Sequence, residues 1–137
     1  MSRGFHDAAR PARKVTHRPV IANRAPSSPD AVRFVALGGL EEIGRNMMFF
    51  EHKDEIVVID MGLQFPEIET PGIDYIIPNV TYLEERKKNI KAVIITHGHY
   101  DHIGAISYLL DKLGNPPMYA TPLTKEIVMK RQDDFPN

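Results

Sequence analysis

The stretch Thr96-His97-Gly98-His99-Tyr100-Asp101-His102 carries four potential metal ligands within six residues. In extended backbone, side chains alternate, so His97 and His99 are expected to share one side and hold one ion. Asp101 and His102 come where the chain turns into a helix, and can serve a second position nearby. Gly98 has no β-carbon and lets the backbone crowd a metal, and Gly104 lets the following helix pack closely on the strand. Imidazole and carboxylate ligands suit zinc and also manganese. Two such ions about 3.5–4 Å apart can bind both oxygens of an in-line displacement and generate hydroxide near neutral pH. Phosphodiester, β-lactam and thioester hydrolysis all fit that chemistry. The bland alternative makes Asp101 a helix cap and the histidines solvated loop residues. The spacing, set between a buried strand and a helix, favours metal.

Asp60 is a second candidate. It ends the apolar run Ile56-Val57-Val58-Ile59, which should neighbour the strand that leads into the histidines. From there its carboxylate can accept the free ring N–H of a ligating histidine and fix the tautomer. A simple turn before Gly62 is the competing explanation.

The elements that must position these residues follow from hydrophobic pattern. A strand is expected over 33–37, ended by Gly38-Gly39 and followed by the loop 40–46. Strands over 47–51 and 55–59, separated by His52-Lys53-Asp54, should pair as a hairpin. Residues 63–79, with Pro66, Pro71, Gly72 and Pro78, predict an irregular loop. Asn79 can cap a helix over 80–88. Ala92-Val93-Ile94-Ile95-Thr96 is the best buried strand. Ile103, Ile106, Leu109, Leu110 and Leu113 fall at helical spacing, with Gly114 as terminator. A short strand over 118–120 precedes a last helix, capped by Thr121 with Pro122 at its first position. The fold class is α/β: a mixed β-sheet with covering helices over residues 32–137.

Composition narrows the setting. The 137 residues contain no cysteine, so disulfides and thiolate sites are excluded, and 42% are hydrophobic, enough for a core. No apolar run approaches the ~20 residues of a membrane helix, and the first thirty residues lack a secretory signal. A soluble, cytoplasmic protein without membrane contact is the expectation. The net charge of −1 hides an asymmetry, because Arg3, Arg10, Arg13, Lys14, Arg18 and Arg24 face only Asp7 and Asp30 within residues 1–30. Together with four prolines, this predicts a disordered basic tail over 1–31. It can act as a phosphate-binding arm or be inert. An organellar transit peptide is a third reading, which the prolines disfavour.

Beyond the histidine cluster, three blocks narrow the family. The glycine-rich stretch from Leu37 to Met47, the block from Asp60 to Glu67 and the block from Pro71 to Pro78 resemble the opening of the ribonuclease J family, within the metallo-β-lactamase superfamily. The likeness covers about residues 33–131. It implies the N-terminal part of an αβ/βα sandwich, interrupted in the family by a β-CASP domain that forms the far wall of an RNA channel. It implies a zinc-dependent nuclease that cleaves RNA from the 5′ end and internally, in decay and ribosomal RNA processing, and that forms homo-oligomers. On this resemblance His97 and His99 bind one ion and Asp101 and His102 the other, with Asp60 behind them. Asp101 and His102 take the catalytic roles, Asp101 or the water it helps hold assisting the attack.

Tyr100 stands where the family often has glutamate, and Glu41 where glycine is common. The family also uses later histidines and a bridging aspartate, whereas no histidine follows His102. An N-terminal fragment, or an incomplete reading frame, of a longer enzyme is therefore expected. Two other functions compete: a hydrolase of small esters or thioesters, which the flanking blocks disfavour, and a non-catalytic RNA-binding fragment.

Overall fold

The computed structural model describes residues 28, 30–66, 71–133 and 135. The basic tail expected over 1–31 lies almost wholly outside them. Five strands form one mixed sheet in the order β1 (Val32–Gly38), β2 (Met47–His52), β3 (Glu55–Ile59), β4 (Ile90–Ile94) and β5 (Met118–Tyr119). The first two pairings are antiparallel and the last two parallel. The expected hairpin joins β2 to β3, with His52 opposite Glu55 and Lys53 taking the left-handed turn conformation at φ 55°.

One sheet face is closed. Phe49, Ile56, Val58 and Val93 point from it into a core completed by Leu83, Ile106, Leu109 and Leu113. Leu83 comes from α1 (Thr81–Glu85), which is shorter than the expected helix over 80–88 and gives way to a 3₁₀ turn, Lys87–Asn89. The cap position falls to Val80 rather than the expected Asn79, which lies one residue earlier and accepts the Thr81 N–H on its Oδ1 at 3.0 Å. The final helix α4 (Pro122–Gln132) begins as expected, with the Thr121 hydroxyl accepting from the Thr124 N–H.

Two expectations need correction. The strand expected over 92–96 starts and ends two residues earlier, because the Thr96 N–H leaves the ladder for the Asp60 carboxylate at 2.8 Å. The single helix expected from Ile103 to Leu113 is broken into α2 (Tyr100–Ile103) and α3 (Ile106–Leu109), the chain continuing in turns to Gly114. The break has a hydrogen-bond cause. In an α-helix the Ala105 N–H would donate to the Asp101 carbonyl. Here it donates to Met61 O at 2.8 Å, while the Asp101 carbonyl accepts from Asn46 N–H at 3.0 Å and the His102 carbonyl accepts from Met61 N–H at 2.8 Å. Asn46 and the segment after β3 therefore take over the carbonyls that would have continued the helix.

The other sheet face is largely open. Phe34 and Phe50, 5.2 Å apart, lie on it with Ile94 and Tyr119, and all four are exposed. In the runs at 56–59 and 93–95, strand alternation buries Ile56, Val58, Val93 and Ile95 against the helices and presents the alternate residues outward, on the face where a half sandwich would lack its second sheet. A contiguous apolar surface of this kind drives association. A polypeptide of residues 1–137 is expected to self-associate with rising concentration in sedimentation velocity, and Phe50→Lys to reduce it. A concentration-independent monomer would contradict this.

Candidate metal centre

The donors sit where three chain segments meet: the end of β3, the loop after β4 and the first turn of α2. Asp60, directly after β3, is 2% exposed and adopts φ 60°, a left-handed conformation that aspartate tolerates better than most residues. Its own N–H donates to Ile94 O at 2.9 Å. Its carboxylate accepts from the Thr96 N–H at 2.8 Å and from the Thr96 hydroxyl at 2.8 Å. Nδ1 of His102 lies 2.8 Å from Asp60 Oδ2. A buried carboxylate must receive such bonds to remain ionised.

His97 and His99 project to the same side. Their rings meet edge-to-face at 4.7 Å, with His97 Nε2 and His99 Nδ1 3.2 Å apart. The His97 ring also lies 4.0 Å from that of His102, and its Nδ1 is 3.0 Å from the Thr96 hydroxyl. Asp101 faces them from α2, its Oδ2 3.4 Å from His102 Nε2. Asp101 does not cap the helix, since His99 occupies the cap position without a side-chain bond. All four sequence-derived ligands and Asp60 are thus brought together. As they stand, the rings bond to one another, and among the described residues no three donors converge on a point suited to an ion.

The chemistry of the donor set nevertheless fits a cation. A carboxylate accepts only, so the Asp60 contact places the His102 proton on Nδ1. In the neutral ring, Nε2 then carries the lone pair and faces a second carboxylate, Asp101, at 3.4 Å. Two acceptors face each other stably only with a proton or a cation between them.

The residue types around the cluster are those of a known family. The model of the metallo-beta-lactamase superfamily matches residues 40–136. The chain belongs to the metallo-β-lactamase superfamily. Within it, the chain is 44% identical over 106 residues to "Ribonuclease J 1" of Streptococcus pyogenes, covering 77% of this chain and 19% of that protein. It is 46% identical over 104 residues to "Ribonuclease J2" of Bacillus subtilis, at 76% and 19% coverage. It is 40% identical over 111 residues to "Ribonuclease J" of Mycolicibacterium smegmatis, at 81% and 20% coverage. The chain spans about a fifth of the length of these relatives. The likeness to ribonuclease J inferred from the flanking blocks is thereby borne out. Membership of the superfamily implies divalent metal ions.

Tyr100 and Glu41, the two positions expected to depart from the family pattern, both lie among the described residues. Tyr100 turns away from the donors, stacking on Phe65 at 5.8 Å with the Arg131 guanidinium 4.7 Å above its ring. Glu41 adopts φ 56°, a conformation that glycine takes without strain and that costs another residue about 1–2 kcal/mol. Its neighbour Glu42 steadies the same loop, accepting from the Gly39 N–H at 2.9 Å and pairing with Arg45. Burial opposes ionisation of Glu42, but the Arg45 hydrogen bond, the Gly39 N–H and the Arg45 charge outweigh it and hold the carboxyl below its usual range.

Sequence reasoning placed Gly98 against a metal and Gly104 against the strand. A β-carbon at Gly98 would instead press on Ile127 of α4, and one at Gly104 on Leu63, just past β3. It gave Gly62 no packing role, yet this is where two segments pass closest. A β-carbon at Gly62 would overlap the carbonyl oxygen of Asp101 and crowd the Asn46 nitrogen. Backbone cannot rotate aside as a side chain can, so Gly62→Ala is expected to destabilise by about 3 kcal/mol or more. Gly72, at φ 83° with nothing within 4 Å of its missing β-carbon, should lose only about 1–2 kcal/mol on the same change. Denaturant midpoints of the two variants compare these costs, and equal losses would contradict the close approach.

Proposed function

We propose that this chain supplies the first part of a two-metal centre in a ribonuclease of the ribonuclease J type, acting on RNA in the cytoplasm. The observation that carries the proposal is the meeting of His97, His99, Asp101 and His102 beside buried Asp60, in a chain 40–46% identical to three proteins named ribonuclease J. In this reading His97 and His99 hold one ion and Asp101 and His102 the other. Zinc is the first choice for such a donor set, with manganese the alternative. Bound there, the pair of ions would supply Lewis acidity and an activated water for in-line attack at a phosphodiester.

The residues themselves do the positioning. Asp60 fixes the His102 tautomer, so that Nε2 presents its lone pair outward. Imidazole torsions about χ2 are broad, so His97 and His99 can exchange their mutual contact for an ion at little cost. Asp101 orients an attacking water and accepts its proton, with His102 adjacent. Homo-oligomerisation belongs to the same proposal. Among the described residues no helix is long and apolar enough to cross a membrane.

A hydrolase of small esters or thioesters would use the same cluster. The likeness to ribonuclease J extends over 76–81% of the chain, beyond the histidine motif alone, and favours RNA. A non-catalytic RNA-binding role leaves the retained donors without a purpose.

Residues 1–137 alone are expected to give no metal-dependent cleavage of single-stranded RNA. Four ligands hold two ions loosely, and loss of fixed positioning removes about 7–11 kcal/mol of barrier lowering. A polypeptide carrying this chain at the length of its relatives is expected to cleave RNA, and to lose that activity on Asp101→Ala or His99→Ala. Thioester hydrolysis with no action on RNA would overturn the substrate class. Robust, chelator-sensitive RNA cleavage by residues 1–137 would overturn the division of the site.

A further inference from the structure

The loop between β1 and β2 ends in Asn46, to which the sequence assigned no chemical role. Its side-chain Nδ2 donates twice to one residue, to Asp101 Oδ2 at 2.9 Å and to Asp101 O at 3.2 Å. Both partners are pure acceptors, which fixes the amide with its nitrogen towards Asp101. Its oxygen turns the other way, towards Gly39, where a β-carbon would strike it. The glycine turn after β1 therefore leaves the space that the amide fills.

We propose that Asn46 is a positioning residue that sets the rotamer of the Asp101 carboxylate for metal binding; the inference rests on the metal reading above. The backbone of Asn46 already secures the fold at this point. Its N–H donates to Asp101 O at 3.0 Å and its carbonyl accepts from Gly62 N–H at 2.9 Å. The side-chain bond to Oδ2 adds nothing that the strand ends and the α2 turn require, and it acts on the atom nearest His102. A neutral amide suits that task. A lysine or arginine in its place would neutralise the carboxylate and compete with a cation, and a second carboxylate would repel it. Bonds of this kind to a ligating carboxylate typically change metal affinity 10–100-fold.

Zinc affinity of the full chain, measured by competition with a chromophoric chelator, tests the inference in wild type, Asn46→Ala, Asp101→Ala, the double variant and His97→Ala. Asn46→Ala is expected to weaken zinc binding about 10–100-fold with the circular dichroism spectrum retained. The double variant should be no weaker than Asp101→Ala alone, because Asn46 acts through that carboxylate. Additive losses, or wild-type affinity in Asn46→Ala, would overturn the positioning role while the metal reading stands. Unchanged affinity in both His97→Ala and Asp101→Ala would overturn the metal reading and this inference with it. Should Asn46→Ala not fold, the Asn46 side-chain amide resonance of the folded wild type decides. It should move on zinc addition, and should not do so in Asp101→Ala. A resonance indifferent to zinc in wild type would overturn the proposal.

Discussion

A buried carboxylate is costly unless its oxygens are bonded, and Asp60 is such a group. Its partners are the backbone and hydroxyl of Thr96 and the ring of His102, at 2.8 Å in each case. Each of these belongs to the segment that carries the donors. Satisfying Asp60 therefore ties the end of β3 to the end of β4 and to the first turn of α2. The rest of the centre is arranged around that requirement. The left-handed φ of Asp60 turns the chain so that the carboxylate reaches across and Met61 runs on beneath the helix.

Once Asp60 is fixed, the residues after it lie against residues 100–105 along their backbones. Met61 takes the His102 carbonyl and gives its own to Ala105, and Asn46 takes the Asp101 carbonyl. An uninterrupted helix needs those same carbonyls, so the helix stops and restarts. The consequence is geometric. Asp101 and His102 lie in a single isolated turn held from below by three other segments, and Gly62 is the residue that lets the segments come close enough. The loop from Gly38 to Asn46 forms the third side, steadied by Glu42 and Arg45.

Much of this was legible in sequence. The spacing of His97, His99, Asp101 and His102 at a strand-to-helix junction pointed to one cluster, and Asp60 at the end of an apolar run pointed to its support. The hairpin over 47–59 and the Thr121-Pro122 helix start are local signals, fixed by a short turn and by a hydroxyl cap, and they were read directly. The broken helix was not legible, because the apolar spacing of Ile103, Ile106 and Leu109 is the same whether or not the backbone bonds continue between them. What breaks the helix is competition from residues some forty to fifty-five positions earlier in the chain. Asn46 escaped for the same reason: an asparagine after a glycine-rich loop gives no hint that its amide grips a carboxylate on another element. The end of β4 was read two residues late, because Thr96 has strand chemistry but spends its N–H on a side chain.

In the proposed centre, Asp60 holds the His102 proton on Nδ1 and so leaves Nε2 for a cation. Nitrogen-15 spectra of the His102 imidazole, recorded where the ring is neutral, test it most directly. A protonated Nδ1 and a bare Nε2 are expected in the wild type, with the Nε2 resonance shifting on zinc addition and the tautomer preference lost in Asp60→Ala. A ring carrying its proton on Nε2, or one whose tautomer ignores Asp60→Ala, would contradict it.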